Sequence, residues 1–274
     1  MVTTRRDLFF EARTAIAERN AAFEARELLL RALSITKDEY YLRPSLPVTP
    51  EEESRFRALL ARRLEGTPLA YLLGEWDFYG RTFTVTPDVL IPRPETEELV
   101  EEARSFLTGS ENVLDLCTGS GCVGITLALE LPGLSVTLGD ISEPALAVAR
   151  ENAKRYPSAN VSIVYDDALS PSENRYDMIV CNPPYVALSD PLSDDVSRYE
   201  PSLALFGGED GLDFYRAILR HRLSLLPSGG RIVFECGETQ SRKVAHIMET
   251  FGARSIRIRT DLSGKGRIVS GERS

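Results

Sequence analysis

From residue 111 onward the chain alternates short apolar runs with helical stretches, and few folds accept that pattern. The runs are ENVLDLC, LSVTLGD, VSIVYDD, YDMIVCN and GGRIVFECG, followed closely by ARSIRIRT and GRIVSGER. Helices fall between the first five, notably SEPALAVARENAKRYP, which Ser142 opens with Pro144 just inside. Continuous apolar strands separated by helices predict a parallel sheet covered on both faces. The last two strands predict an antiparallel hairpin at one edge. The expected class is therefore α/β, with seven strands and a mostly parallel order.

The chain before this point reads differently. DLFFEARTAIAERN and AAFEARELLLRALS carry apolar residues at three- and four-residue spacing, the signature of helices. In PVTPEEESRFRALLARRLEG, Thr49 caps, Pro50 takes the first helical position, Glu52 completes a capping box and Gly66 ends the helix. Alternation from Phe78 to Val85 around Gly80 predicts a hairpin, and PETEELVEEARSFL starts a helix near Pro94. The expected organisation is a small N-terminal all-helical domain over 1–74, a hairpin linker over 75–92 and a larger domain over 93–274.

Charge is uneven between these parts. The net charge is −9 over 274 residues, divided as +1 for residues 1–74 and −10 for the remainder. An acidic second part suits a basic protein partner better than naked nucleic acid. The four cysteines, Cys117, Cys122, Cys181 and Cys236, have no paired CxxC spacing, and only His221 and His246 could add imidazole ligands. Neither a zinc site nor a disulfide framework is expected. No apolar run reaches the roughly 18 residues that a bilayer span needs, and the N-terminus lacks a secretory pattern, so the expected location is cytoplasmic.

Two stretches carry chemistry. DLCTGSGCVG, from Asp115 to Gly124, follows the first strand of the alternating part and opens a helix. Gly119, Gly121 and Gly124 fit G-x-G-x-x-G, and Asp140 ends the second strand about 20 residues later, the spacing of a Rossmann-like nucleoside site. Glycines admit a cofactor to the backbone and the acid accepts from ribose hydroxyls. This loop alone leaves a dinucleotide and S-adenosylmethionine equally open.

The fourth strand separates them. It runs into CNPPY, where proline ends the ladder at the carboxyl edge of the sheet. Asn182 offers a carbonyl acceptor, and the carbonyl of Pro183 is a second. Two acceptors converging on a planar NH2 group hold its nitrogen toward an electrophilic methyl carbon, while Tyr185 stacks on the flat group. Such a site needs no strong base. Its task is positioning, which supplies as much as about 7–11 kcal/mol.

These residues resemble an S-adenosylmethionine-dependent methyltransferase acting on an amide or amino nitrogen. NPPY by itself is shared with adenine DNA methylases, guanine ribosomal RNA methylases and glutamine methylases. GTPLAYLLGEWDFYG, VLIPRPETEELV, DLCTGSG, NPPYV, YEPSLALFGGEDGLDFYRAIL, GGRIVFECGETQ and DLSGKGRIVSGER together occur in the order and spacing of the peptide chain release factor glutamine methyltransferases. The resemblance covers nearly everything from about residue 25.

It implies a helical substrate-recognition domain, a hairpin linker and a seven-stranded methyltransferase domain with helices on both faces. The implied reaction moves a methyl group from S-adenosyl-L-methionine to the glutamine of the Gly-Gly-Gln loop of class 1 release factors, leaving S-adenosyl-L-homocysteine. Carried onto this sequence, Asn182 and the Pro183 carbonyl hold the glutamine amide, with Pro184 and Tyr185 packing beside it. Cofactor contacts come from Asp115, Cys117, Thr118, Gly119, Ser120 and Gly121, from Asp140 and Ile141 at the ribose, and from Asp167 and Ala168 at the adenine. Asn182 sits by the transferring methyl, and Thr96, with Arg93 and Glu95 beside it, approaches the methionine end. The implied partner is a class 1 release factor, without membrane or direct nucleic acid binding, and the expected state is a monomer. Methylation of a ribosomal protein glutamine, or of an exocyclic amino group in rRNA or DNA, is the alternative. Two departures stand out: the family usually has Gly where Cys117 stands and often Gln where Ala70 stands. A negative φ at Cys117 would keep its side chain out of the site.

Overall fold

Threonines open three of the N-terminal helices, and each completes the same reciprocal cap. Thr4, Thr36 and Thr49 accept from the backbone N–H three residues on, while the side chains of Asp7, Glu39 and Glu52 accept from the threonine N–H groups. Each such cap is worth about 1 kcal/mol. The computed structural model describes residues 2–17, 19–261 and 263–274. Glu18, inside the first expected helical stretch, and Leu262, in the closing DLSGKGR stretch, lie outside the described residues, as does Met1.

The N-terminal helices are α1 (Arg5–Ile16), α2 (Ala21–Leu33), α3 (Lys37–Leu42), α4 (Pro50–Leu64) and α5 (Leu69–Leu73), of which α1, α3 and α4 carry these caps. They form one compact unit over Met1–Glu75, together with the later segment Asp194–Tyr199. Its core joins Leu8 and Ala12 of α1, Leu28 and Leu29 of α2, and Phe56 and Leu60 of α4. Arg63 and Glu24 tie α4 to α2 at 2.6 Å, with little of either side chain exposed. Ala70 is buried on α5, so it presents no surface to a partner.

The second unit comprises Trp76–Ser193 and Glu200–Ser274. It begins with a hairpin of β1 (Glu75–Phe78) and β2 (Arg81–Thr84), followed by a 3-10 turn over Pro94–Thr96 and helix α6 (Glu97–Arg104). The hairpin is stitched into this unit. Phe78 and Phe83 enter its core, Asn152 takes the N–H of Thr84 at 2.7 Å, and the Tyr156 hydroxyl donates to the carbonyl of Thr82.

Alternation then follows as expected: β3 (Asn112–Leu116), α7 (Cys122–Glu130), β4 (Ser135–Asp140), α8 (Glu143–Arg155), β5 (Val161–Tyr165) and β6 (Met178–Cys181). The short α9 (Asp194–Tyr199) falls in the segment grouped with the first unit, and Tyr199 there donates to the Glu65 carbonyl at 2.9 Å. The chain continues through α10 (Asp213–Arg222), β7 (Arg231–Glu235), α11 (Ser241–Thr250), β8 (Ala253–Thr260) and β9 (Gly266–Arg273).

The seven strands order as β5-β4-β3-β6-β7-β9-β8, with β9 antiparallel to both neighbours and the rest parallel. Side chains alternate between two apolar layers, as the pleat requires. Val113, Met178 and Val180 enter one cluster with α6, α7 and α8, while Leu114, Ile179 and Cys181 enter the other with α10 and α11. Sheet order reverses at β3, which pairs with both β4 and β6, and the carboxyl ends of these strands define the crevice where such sheets bind ligands. Among the described residues no helix is long and apolar enough to cross a membrane.

Candidate active site

At the end of β3 the chain turns sharply. Cys117 has φ +61, in the left-handed region, so the negative φ allowed for in the sequence reading is not what the backbone adopts. Its side chain lines the crevice beside Cys181 at the end of β6. A left-handed L-residue is held there at a cost of roughly 1–2 kcal/mol, which explains why glycine suits this position.

Gly119 follows with φ +54, and the place where a side chain would stand is open space. Its N–H donates to Oδ2 of Asp140 at 2.9 Å, while Oδ1 of Asp140 accepts from the N–H of Ser142 at 3.0 Å. The carboxylate that ends β4 is thus aimed by backbone on both sides, and burial pushes its pKa up against those hydrogen bonds. Asp115 pins the loop from below. Its Oδ2 accepts from the Thr118 hydroxyl at 2.6 Å and from the Gly124 N–H at 2.8 Å. A side chain at Gly124 would stand 2.3 Å from Leu138 and 2.9 Å from Asp115, so that glycine serves close approach of helix and strand. Full burial pushes Asp115 up to about 7.

One cavity brings the sequence-predicted residues together. Thr96, Asp115, Cys117, Thr118, Gly119, Ser120, Asp140, Ile141, Asp167, Ala168, Asn182 and Pro184 all line it. Gly121, Pro183 and Tyr185 do not. Gly121 is the N-cap of α7 at φ +81, enclosed by Ile125, Leu138 and Ala149. Tyr185 is half-buried against the second apolar cluster, and its carbonyl accepts from Gln240 at 2.9 Å. Arg93 lines the cavity and pairs with the buried Glu200, which also takes the Ile91 N–H.

Sequence reasoning missed the loop before the 3-10 turn, where Asp88, Val89 and Leu90 line the cavity, and it missed Leu169 and Phe214, which line it as well. Val89, Leu90 and Phe214 lie within VLIPRPETEELV and YEPSLALFGGEDGLDFYRAIL, which gave the stretches but no role for these residues, whereas Asp88 and Leu169 carry no motif. It also missed Glu235, which ends β7 beside Asn182. That carboxyl is buried, and burial pushes it up to about 7 despite the polar neighbours Thr96 and Asn182, which favour the ionised form.

A glycine loop at the switch point, an acid on one neighbouring strand and an Asn-Pro-Pro-Tyr turn on the other are features of S-adenosylmethionine-dependent methyltransferases acting on nitrogen. The comparisons agree with that class. Residues 96–195 match the family described as Methyltransferase small domain, and residues 7–74 match the PrmC N-terminal domain. A methyltransferase structure from Pyrococcus furiosus superposes with a TM-score of 0.52 at 20% identity, covering 77% of this chain and 95% of that one. A T. thermophilus 16S rRNA methyltransferase in complex with AdoMet and guanosine gives 0.52 at 19% identity, covering 73% and 50%, and shares the fold.

Similarity in sequence goes further. The release factor glutamine methyltransferase of Cereibacter sphaeroides is 42% identical over 255 residues, covering 91% of this chain and 90% of that one. That of Geobacter sulfurreducens is 39% identical over 255 residues, covering 92% and 89%. The chain belongs to the release factor glutamine methyltransferase family.

Proposed function

We propose that this protein transfers a methyl group from S-adenosyl-L-methionine to the side-chain amide nitrogen of the glutamine in the Gly-Gly-Gln motif of class 1 release factors. The observation that carries this reading is the position of Asn182. It lies at the carboxyl end of β6, in the same cavity as Gly119 and Asp140, within a chain 42% identical to a named release factor glutamine methyltransferase.

The residues present fit the cofactor. Open space at the missing Gly119 side chain admits a ligand to the loop backbone. The oriented Asp140 carboxylate suits ribose hydroxyls, and Ile141, Ala168, Leu169 and Phe214 give the cavity the apolar walls an adenine needs. When bound, the cofactor supplies a methyl carbon activated by its sulfonium, which departs as a neutral thioether.

The chain's own residues then act by holding the acceptor. Asn182 Oδ1 and the Pro183 carbonyl accept the two N–H groups of the glutamine amide, which turns the face of its nitrogen toward the methyl carbon. Pro184 and Tyr185 close the flat side of the amide, and Thr96 stands beside Asn182. The acceptor proton passes to water after the nitrogen has been alkylated, so no strong base is required.

The test is to mix the purified protein with labelled S-adenosylmethionine and, separately, an unmodified release factor, a ribosomal protein mixture and ribosomal RNA. Mass spectrometry locates the methyl group. Methyl on the Gly-Gly-Gln glutamine, lost in Asn182→Ala, supports the reading. Methyl on RNA or on another protein overturns the substrate.

A further inference from the structure

The acceptor geometry just described works only if the side-chain amide of Asn182 turns its oxygen, not its nitrogen, toward the substrate. The two ends of an amide are nearly equal in shape, so something must choose between them. We propose that Glu235 and Thr96 form a positioning relay that makes this choice by holding the Asn182 NH2 group from behind. The inference deepens the proposed function and rests on it.

The relay is built from three elements of the second unit. Cys181 of β6 and Phe234 of β7 are register partners, so Asn182 and Glu235 follow side by side at the carboxyl edge. Thr96 closes the 3-10 turn and is buried, as is Glu235. Asn182 Nδ2 donates to Thr96 Oγ1 at 3.4 Å. The buried Glu235 carboxyl feels both Thr96 and Asn182 as neighbours, and its Oε2 is a buried oxygen without a partner, open to their donors.

Donor and acceptor counting fixes the polarity. An ionised carboxylate only accepts, so it takes the single O–H of Thr96 and one N–H of Asn182. Thr96 can then only accept from Asn182, which occupies the second N–H. Both protons of the amide are held by protein, and Oδ1 alone is left to face the cavity. Protonated Glu235 becomes a donor, and the relay then also admits the reversed amide, with NH2 facing NH2.

The charge on Glu235 is set by its surroundings. Arg267 of β9 favours the ionised form, Glu95 of the 3-10 turn opposes it, and burial opposes it most. The other titratable neighbours are Tyr185, Cys236, Cys122 of α7 and Tyr215 of α10, whose hydroxyl donates to the Glu235 carbonyl at 2.9 Å. Arg267 is itself held by Asp261 at 3.2 Å and lies 3.6 Å from Glu238.

The experiment compares wild type with Glu235→Gln, Thr96→Val and Thr96→Ser in methyl transfer to a release factor, with each variant's fold checked by circular dichroism. Glu235 does not line the cavity, so Glu235→Gln should keep the cofactor affinity while kcat drops about 100-fold, the order that misplacement by an ångström costs. Thr96→Val should lower kcat by a similar factor, and Thr96→Ser should restore most of what Thr96→Val loses. In parallel, the Asn182 side-chain N–H pair is followed by 15N NMR against pH, assigned from Asn182→Ala. It should titrate near 7 in wild type and stay flat in Glu235→Gln. Wild-type kcat in both Glu235→Gln and Thr96→Val, or an Asn182 signal indifferent to Glu235, overturns the relay. Failure of wild type to methylate the release factor sinks the proposed substrate instead, and the NMR titration still decides the relay.

Discussion

Arg222, the last residue of α10, forms a two-point pair with Asp166 just beyond β5. Nη1 donates to Oδ2 at 3.2 Å and Nη2 to Oδ1 at 2.6 Å, and Nη2 also donates to the Asp167 carbonyl at 2.9 Å. The Arg222 side chain is 2% exposed and that of Asp166 11%. The cavity wall formed by Asp166, Asp167 and Ala168 therefore hangs on one buried cation. Removing one partner of such a pair strands the other charge, which costs several kcal/mol. Arg222→Met is expected to lower the unfolding free energy by about 3 kcal/mol and to weaken cofactor binding. Adding Asp166→Asn should recover much of the stability. Urea unfolding and calorimetric titration of the cofactor read the two effects, and unchanged values for Arg222→Met would refute the assignment.

Cys117 supplies a second prediction, because its left-handed φ penalises any residue with a side chain. Cys117→Gly removes that strain but also loosens the unfolded chain, so it should stabilise by at most about 1 kcal/mol. Cys117→Val, β-branched in the same conformation, should destabilise by about 2 kcal/mol or more. Equal urea midpoints for the two variants would show that the backbone strain is not felt.

Stability should decline as pH rises toward neutrality. Asp115 and Glu235 keep their protons up to about 7 in the folded chain, against ordinary values of 3.8 and 4.5. Between those limits the folded state binds more protons than the unfolded one, so each carboxyl's contribution is complete below its unfolded value and is lost as pH passes about 7. The loss is on the order of 3 kcal/mol for each. Unfolding free energies at pH 5, 6, 7 and 8 should fall in that order, with a shallower slope in Glu235→Gln. A slope unaltered by that substitution would count against the buried carboxyl.

The fourth prediction concerns a residue with no side chain. A methyl at Gly211, whose φ is +73, would stand 2.3 Å from the Tyr185 carbonyl and 2.7 Å from the Gln240 amide that binds it. Gly211→Ala should disturb the Asn-Pro-Pro-Tyr turn and reduce kcat more than tenfold while cofactor affinity holds. Loss of affinity with an unchanged kcat would contradict this.

Much of this architecture was readable in the residues. The parallel strands announced themselves as apolar runs, and Ser142 and Thr49 cap the helices they were expected to cap. Helix α9 was not readable, since DDVSRY has no buried residue and so no apolar stripe to detect. Glu235 was hidden for the opposite reason. It ends a strand whose other residues are core, and nothing in GGRIVFECG says that the last carboxyl turns toward Asn182. The sign of φ at Cys117 was equally beyond reach, because a single backbone angle leaves no pattern in composition.

Gly207 deserves to be seen beside Gly211. A methyl there would lie 2.4 Å from the Pro184 carbonyl, and its N–H bonds the Val186 carbonyl at 2.9 Å. The shape of the reactive tetrapeptide is therefore moulded from a loop some twenty residues downstream. Anyone hoping to transplant the amide-gripping turn onto a new scaffold would have to carry that bare loop with it, since four residues alone bring the chemistry without the mould.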